Sequence, residues 1–176
     1  MRWISHLAIA CSICAVFNPV AVPAAALGST APDWFEFIKR AMHRDRRVKH
    51  RGSTHYLVGW VAASLAAHFV WDFQGFLFWF AIGGAVHWFC DALTVSGAPL
   101  GWWSDRHIML FGGKVKTGSS AEYIIAGLVM VVCALLIWTK HASPSGFIPF
   151  FYEWSQFYQR GLIDGIEWRN NRFNII

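Results

Sequence analysis

Four apolar stretches dominate the chain, at roughly residues 5–29, 56–73, 75–95 and 121–139. The last, "AEYIIAGLVMVVCALLIWTK", carries no charge from Tyr123 to Thr139. About 20 apolar residues cross a bilayer core as a helix, so this stretch can span alone. The second and third stretches contain His68, Asp72, His87 and Asp91, ionisable groups that are costly in hydrocarbon and so mark pairing or function. Asn18-Pro19 interrupts the first. Proline lacks an N–H and disfavours helix in the residue before it, which predicts either one span kinked at Pro19 or two half-length helices folded as a hairpin. "AVPAAALG" resembles a signal-peptidase site, but Arg2 alone makes a weak charged start and the apolar region is interrupted, so residues 1–29 are read as retained. The pattern predicts an all-α fold: a polytopic membrane bundle of about four apolar segments, the first a broken helix or hairpin.

The stretch from Ser96 to Ser120 is rich in Gly, Ser and Pro and reads as an ordered loop or lid, with Thr117, Ser119 or Ser120 capping the fourth helix and Glu122 in its first turn. Residues 1–140 are expected to form the membrane-embedded domain. Residues 141–176 mix aromatics and charges at helical spacing, as in an interfacial tail or one that docks a protein partner.

Composition strengthens the membrane reading: 56% of residues are hydrophobic and only 14% charged, against about a quarter in soluble domains. The eleven Trp and fifteen Phe suit aromatic belts at the headgroup level. Positive charge is concentrated in "KRAMHRDRRVKHR", Lys39 to Arg51. Beside apolar spans this reads as a cytoplasmic loop (residues 39–52) with anionic membrane lipid as neighbour, rather than a nucleic-acid contact. Cys11, Cys14, Cys90 and Cys133 lie in apolar runs, where thiols act as small hydrophobes.

"HWFCD" places His87 and Asp91 four apart, on one face of a helix and close enough to share an ion. "HFVWD" repeats the spacing at His68 and Asp72. Either pair alone is equally well a buried hydrogen bond. With the basic loop in the cytoplasm, however, Asp33, His50, His55, His87, Asp91 and Glu122 all fall at one membrane face, and a hairpin brings His6 there as well. His68 and Asp72 head for the opposite face and are read as structural.

"HRGSTH" (50–55), "HWFCDALTVSG" (87–97), Pro32-Asp33 after "LGST", and "TGSSAE" (117–122) resemble, in order and spacing, the YdjM-like family of predicted inner-membrane, metal-dependent hydrolases. The resemblance covers residues 3 to 139. It implies that His6, Asp33, His50, His55, His87, Asp91 and Glu122 line a metal site, with Thr94 and Gly97 shaping the turn behind it. One departure concerns the acid expected after Pro-Asp: Phe35 stands there, with Glu36 one place further on. The layout is also similar to that of zinc-dependent phospholipase C enzymes, an analogy that hints at phosphoester chemistry.

The functional expectation is a hydrolase of the bacterial inner membrane using a divalent metal, zinc or alternatively manganese. His6, Asp33, His50, His55, His87 and Asp91 are the candidate ligands. Asp33 or Glu122 is the candidate general base, and Arg51 and Arg47 are placed to hold a substrate phosphate. The rival is a non-enzymatic membrane subunit or scaffold in which the cluster is a structural metal or hydrogen-bond network. A transporter would need ionisable residues through the depth of the bundle, which only His68 and Asp72 suggest.

Overall fold

The computed structural model describes residues 1–42, 51–140, 159 and 161. His50, Arg47 and most of the tail 141–176 lie outside the described residues.

The first apolar run breaks at Asn18-Pro19. Helix α1 (Trp3–Phe17) stops at Asn18, whose φ of −147° is non-helical and whose N–H donates to the Cys14 carbonyl at 2.7 Å. One 3-10 turn, Pro19–Ala21, reverses the chain into α2 (Val22–Met42). Trp3 Nε1–H donates to Asp33 Oδ2 at 2.6 Å, so the start of α1 lies beside the middle of α2 and the pair is a hairpin. The second arm exceeds half-length because α2 continues through Pro32 for 21 residues.

A 3-10 turn, Ser53–His55, leads into α3 (Leu57–Phe69). The chain then turns through Gln74 (φ 50°) and Gly75 (φ 81°) into α4 (Phe76–Ala92). Asp72 accepts the N–H groups of Leu77 and Phe78, each at 2.9 Å, supplying the acceptors that a helix start lacks. Its partner by spacing, His68, packs against the Phe69 and Phe78 rings. The Asn18 side-chain amide donates to the Gln74 carbonyl at 2.8 Å and ties the two turns together at this end.

Helices α2 and α4 cross at glycines. A Cβ on Gly28 would lie 1.9 Å from the Phe80 carbonyl oxygen, and one on Gly83 only 2.4 Å from that of Ala25. Small residues that let backbones touch are a usual means of packing membrane helices. Here the contact sets the register of the two helices that carry Asp33, His87 and Asp91.

One expectation needs correction and another is met only in part. The fold is not all-α: β1 (Ala98–Gly101) and β2 (Ser104–Ile108) pair antiparallel, with Ala98 opposite Ile108 and Gly101 opposite Ser104. The hairpin packs on α4, and Trp88 Nε1–H donates to the Pro99 carbonyl at 2.6 Å. A bundle of four spanning helices is not shown. Among the described residues only Ser120–Thr139, in α5 (Ser120–Lys140), is long and apolar enough to cross a membrane. Helices α1, α3 and α4 have 15, 13 and 17 residues. At ~1.5 Å per residue they reach roughly 20–25 Å, short of a core of about 30 Å. The polar breaks at Asn18-Pro19 and Asp72–Gly75 cap these helices before they reach full span.

Candidate metal centre

Four segments converge at the end of the bundle away from the Asn18–Gln74 tie. His6 comes from the first turns of α1, Asp33 from α2, His55 from the 3-10 turn, and His87 and Asp91 from successive turns of α4. They form two groups, His6–His87–Asp91 and Asp33–His55–His87, in each of which the potential ligand atoms lie within 4.8 Å of one another. His87 is common to both. Its Nε2 is 3.5 Å from Asp91 Oδ2 and 3.8 Å from Asp33 Oδ1. His55 Nε2 is 3.2 Å from Asp33 Oδ1, and His6 Nε2 is 3.7 Å from Asp91 Oδ1. Ligands around a tetrahedral zinc ion at bonds of ~2.05 Å stand about 3.3 Å apart, so the spacing suits such an ion after small side-chain adjustments.

The hydrogen bonds orient the histidines. His87 Nδ1 is 2.7 Å from the Ser29 carbonyl, which can only accept, so Nδ1 carries the proton. In the neutral ring this leaves the lone pair on Nε2, which faces two carboxylates. Nε2 is buried without a hydrogen-bond partner among the described residues, as is Nδ1 of His6. A cation between Nε2 and the carboxylates would answer that lone pair, and an N–H to carbonyl bond of this kind commonly fixes the tautomer of a metal-ligating histidine. The His6 and His87 rings stack at 4.0 Å between centroids. Burial alone would raise the Asp33 carboxyl, but the hydrogen bond with His55 and the nearby His87 and His55 imidazoles hold it down at about 2. Asp33 is thus anionic and ligand-competent at any ordinary pH.

Behind the cluster stand residues less obvious in the sequence. Glu36 is buried on the same face of α2 as Asp33, one turn on; it accepts the Arg51 N–H at 3.0 Å, pairs with Arg40, and sets Oε2 3.7 Å from His55 Nδ1. The i, i+3 offset was the available signal: it turns Glu36 inward, while Phe35 is partly exposed. Arg51, with φ at 57°, directs its guanidinium inward to Asp91 Oδ1 at 2.9 Å and to the Gly97 carbonyl at 2.6 Å. Thr94 Oγ1–H donates to the Asp91 carbonyl at 2.7 Å, and the Gly97 N–H to the Thr94 carbonyl, so both residues shape the turn after α4. The Met1 amino group also lies 2.8 Å from Asp91 Oδ1.

Glu122 is buried but belongs to neither group. It accepts the Ser5 hydroxyl at 2.5 Å and the N–H groups of Arg2 and Gly118 at 2.7 Å each, joining the starts of α1 and α5. Access is one-sided. The side chains of His6, His55, His87 and Asp91 are at most 3% exposed, against 24% for Asp33. A cavity of about 280 Å³, lined by Trp3, Asp33, Glu36, Phe37 and Arg40, opens beside Asp33.

The chain matches the family described as YdjM inner membrane protein over residues 1–148. The chain belongs to the YdjM inner membrane protein family. The match takes in all five converging side chains, and membership makes the molecule a membrane protein. Neither the curated proteins nor the solved structures gave a match that could extend what YdjM membership says.

Proposed function

We propose that this YdjM protein is a membrane-embedded, metal-dependent hydrolase acting on a phosphoester or related bond of a lipid-like substrate at the cytoplasmic face. The observation that carries the reading is the buried Nε2 of His87, which among the described residues has no hydrogen-bond partner and faces two carboxylates while Nδ1 is held by the Ser29 carbonyl. His87 would hold the ion together with either His6 and Asp91 or Asp33 and His55, zinc by their mixture of imidazole and carboxylate, with manganese the alternative. When bound, the ion polarises a phosphoryl oxygen and lowers the pKa of a water. Asp33, partly exposed beside the cavity, is placed to accept a hydrogen bond from that water and to orient it. Arg51 holds Asp91 and the Gly97 turn in position. The cytoplasmic placement follows from the basic run at residues 39–52, by the positive-inside rule.

A structural metal in a non-enzymatic scaffold would be closed to solvent. The partial exposure of Asp33 and the cavity beside it favour the enzyme. Elemental analysis of detergent-purified protein tests the reading. About one zinc or manganese per chain, lost in His87→Ala and in His87→Gln, is expected, together with metal-dependent release of phosphate from phospholipid or isoprenoid phosphates. No metal in the wild type, or unchanged metal in a well-folded His87→Ala protein, would overturn it.

A further inference from the structure

The cavity beside Asp33 has a composition of its own. Asp33, Glu36, Phe37 and Arg40 follow the i, i+3, i+4, i+7 spacing that puts them on one stripe of α2, and Trp3 reaches across from α1. Its charge is graded. At the inner end lies Asp33, beside the buried imidazoles. Next comes Glu36, which pairs with one nitrogen of the Arg40 guanidinium, a group with five N–H donors on a side chain that is half exposed. Trp3 and Phe37 are both more than half exposed, and Ile38 and Met42 continue the apolar surface along the same helix.

The geometry points to a headgroup subsite in this cavity: Arg40 binds the phosphate of a membrane lipid, and Trp3 and Phe37 receive the first part of its chains. Volume decides how much of the lipid enters. A cavity of about 280 Å³ is just below the usual range for sites that enclose a whole small ligand, roughly 300–1,000 Å³. It admits a phosphorylated headgroup and not the acyl chains. These would stay outside against Phe37, Ile38 and Met42, a surface suited to lipid and costly in water. An Arg beside Trp and Phe is also the pairing expected at the headgroup level, where a guanidinium meets phosphate and aromatic rings meet the acyl boundary. The inference rests on the hydrolase reading for what happens to the phosphate, but the binding step can be measured without turnover.

The test uses the full chain, metal-free and in neutral detergent, titrated with dihexanoyl phosphatidate, with glycerol 3-phosphate and with dihexanoylglycerol. Saturable binding of the phosphatidate is expected, with glycerol 3-phosphate and dihexanoylglycerol each at least tenfold weaker. Arg40→Gln should weaken phosphatidate tenfold or more and Arg40→Lys less. Phe37→Ser, at a position 72% exposed, should weaken phosphatidate and leave glycerol 3-phosphate unchanged. Glycerol 3-phosphate binding as tightly as phosphatidate would overturn the proposal in favour of a site for soluble phosphoesters. Phosphatidate affinity unchanged in Arg40→Gln and Phe37→Ser would overturn it altogether. Arg40-dependent binding without metal-dependent hydrolysis keeps the subsite and removes the hydrolase. Metal-dependent hydrolysis indifferent to Arg40→Gln does the reverse.

Discussion

Glu36 shows how a single position can carry a role that the motif assigns to its neighbour. The helix turns about 100° per residue, so moving the acid from 35 to 36 changes which face it occupies. Position 36 shares the inward face with Asp33, and its Oε2 lies 3.7 Å from His55 Nδ1, which also has the Thr54 hydroxyl at 3.0 Å. Carboxylates behind metal-bound histidines fix the ring and raise its basicity, and their loss commonly weakens metal binding about 10- to 100-fold. Glu36→Gln is therefore expected to lower zinc affinity by that factor with the fold intact, read by competition against a chromogenic chelator; unchanged affinity would leave Glu36 a structural role, through its contacts with Arg40 and the Arg51 backbone. At this scale the sequence was informative where spacing is short. The four-residue step from His87 to Asp91 is enough to place both on one face. Contacts between distant segments were not legible. The inward pairing of Arg51 with Asp91 depends on how the turn before α3 meets α4, and the joining of α1 to α5 by Glu122 depends on where two helix starts meet.

Helices α2 and α4 are the elements on which the site depends, and their contact rests on missing side chains. Gly83 lies one turn before His87 on α4, and a Cβ there would come within 2.7 Å of the Ser29 N, next to the carbonyl that orients His87. Gly83→Ala is expected to cost about 1–3 kcal/mol through overpacking. It should also weaken metal binding by pushing the Ser29 carbonyl away from His87. Gly127→Ala on α5, where a new Cβ would meet nothing within 4 Å, serves as the comparison. It is expected to be neutral or to add up to about 1 kcal/mol from helix propensity. Thermal unfolding in detergent with zinc titration of both variants checks this; equal behaviour would mean the crossing does not control the site. The α1–α2 hairpin was legible because Asn18-Pro19 is a local signal. The strands were not: four and five residues among Gly, Pro and Trp carry too little alternation, and their pairing is fixed by packing on Trp88 of α4.

Across the whole molecule, the long apolar helix and the candidate ligands fall on different parts. Helix α5 is long, apolar and largely unburied, while the side chains at the cluster come from α1, α2, α4 and the turn before α3. Leu128 and Leu135 are each about 60% exposed on α5. Replacing both with Lys places two charges in the hydrocarbon, at about 2.5–3.5 kcal/mol each on insertion scales. Leu128→Lys with Leu135→Lys is expected to shift the protein from the membrane pellet to the supernatant on alkaline extraction. Full retention in the pellet would show that the shorter apolar helices suffice to hold it. Hydrophobic composition revealed the membrane environment but not the lengths of the apolar helices, because the apolar runs are interrupted by residues whose capping role only the folded chain displays.

The Ser29 carbonyl has a quieter consequence for counting. An imidazole with one nitrogen committed has a single electron pair left, and both groups of candidate ligands draw on that of His87. They are alternatives rather than neighbours: a cation that takes Nε2 in one leaves the other with two donors. Among the described residues the two candidate groups therefore amount to one seat rather than two.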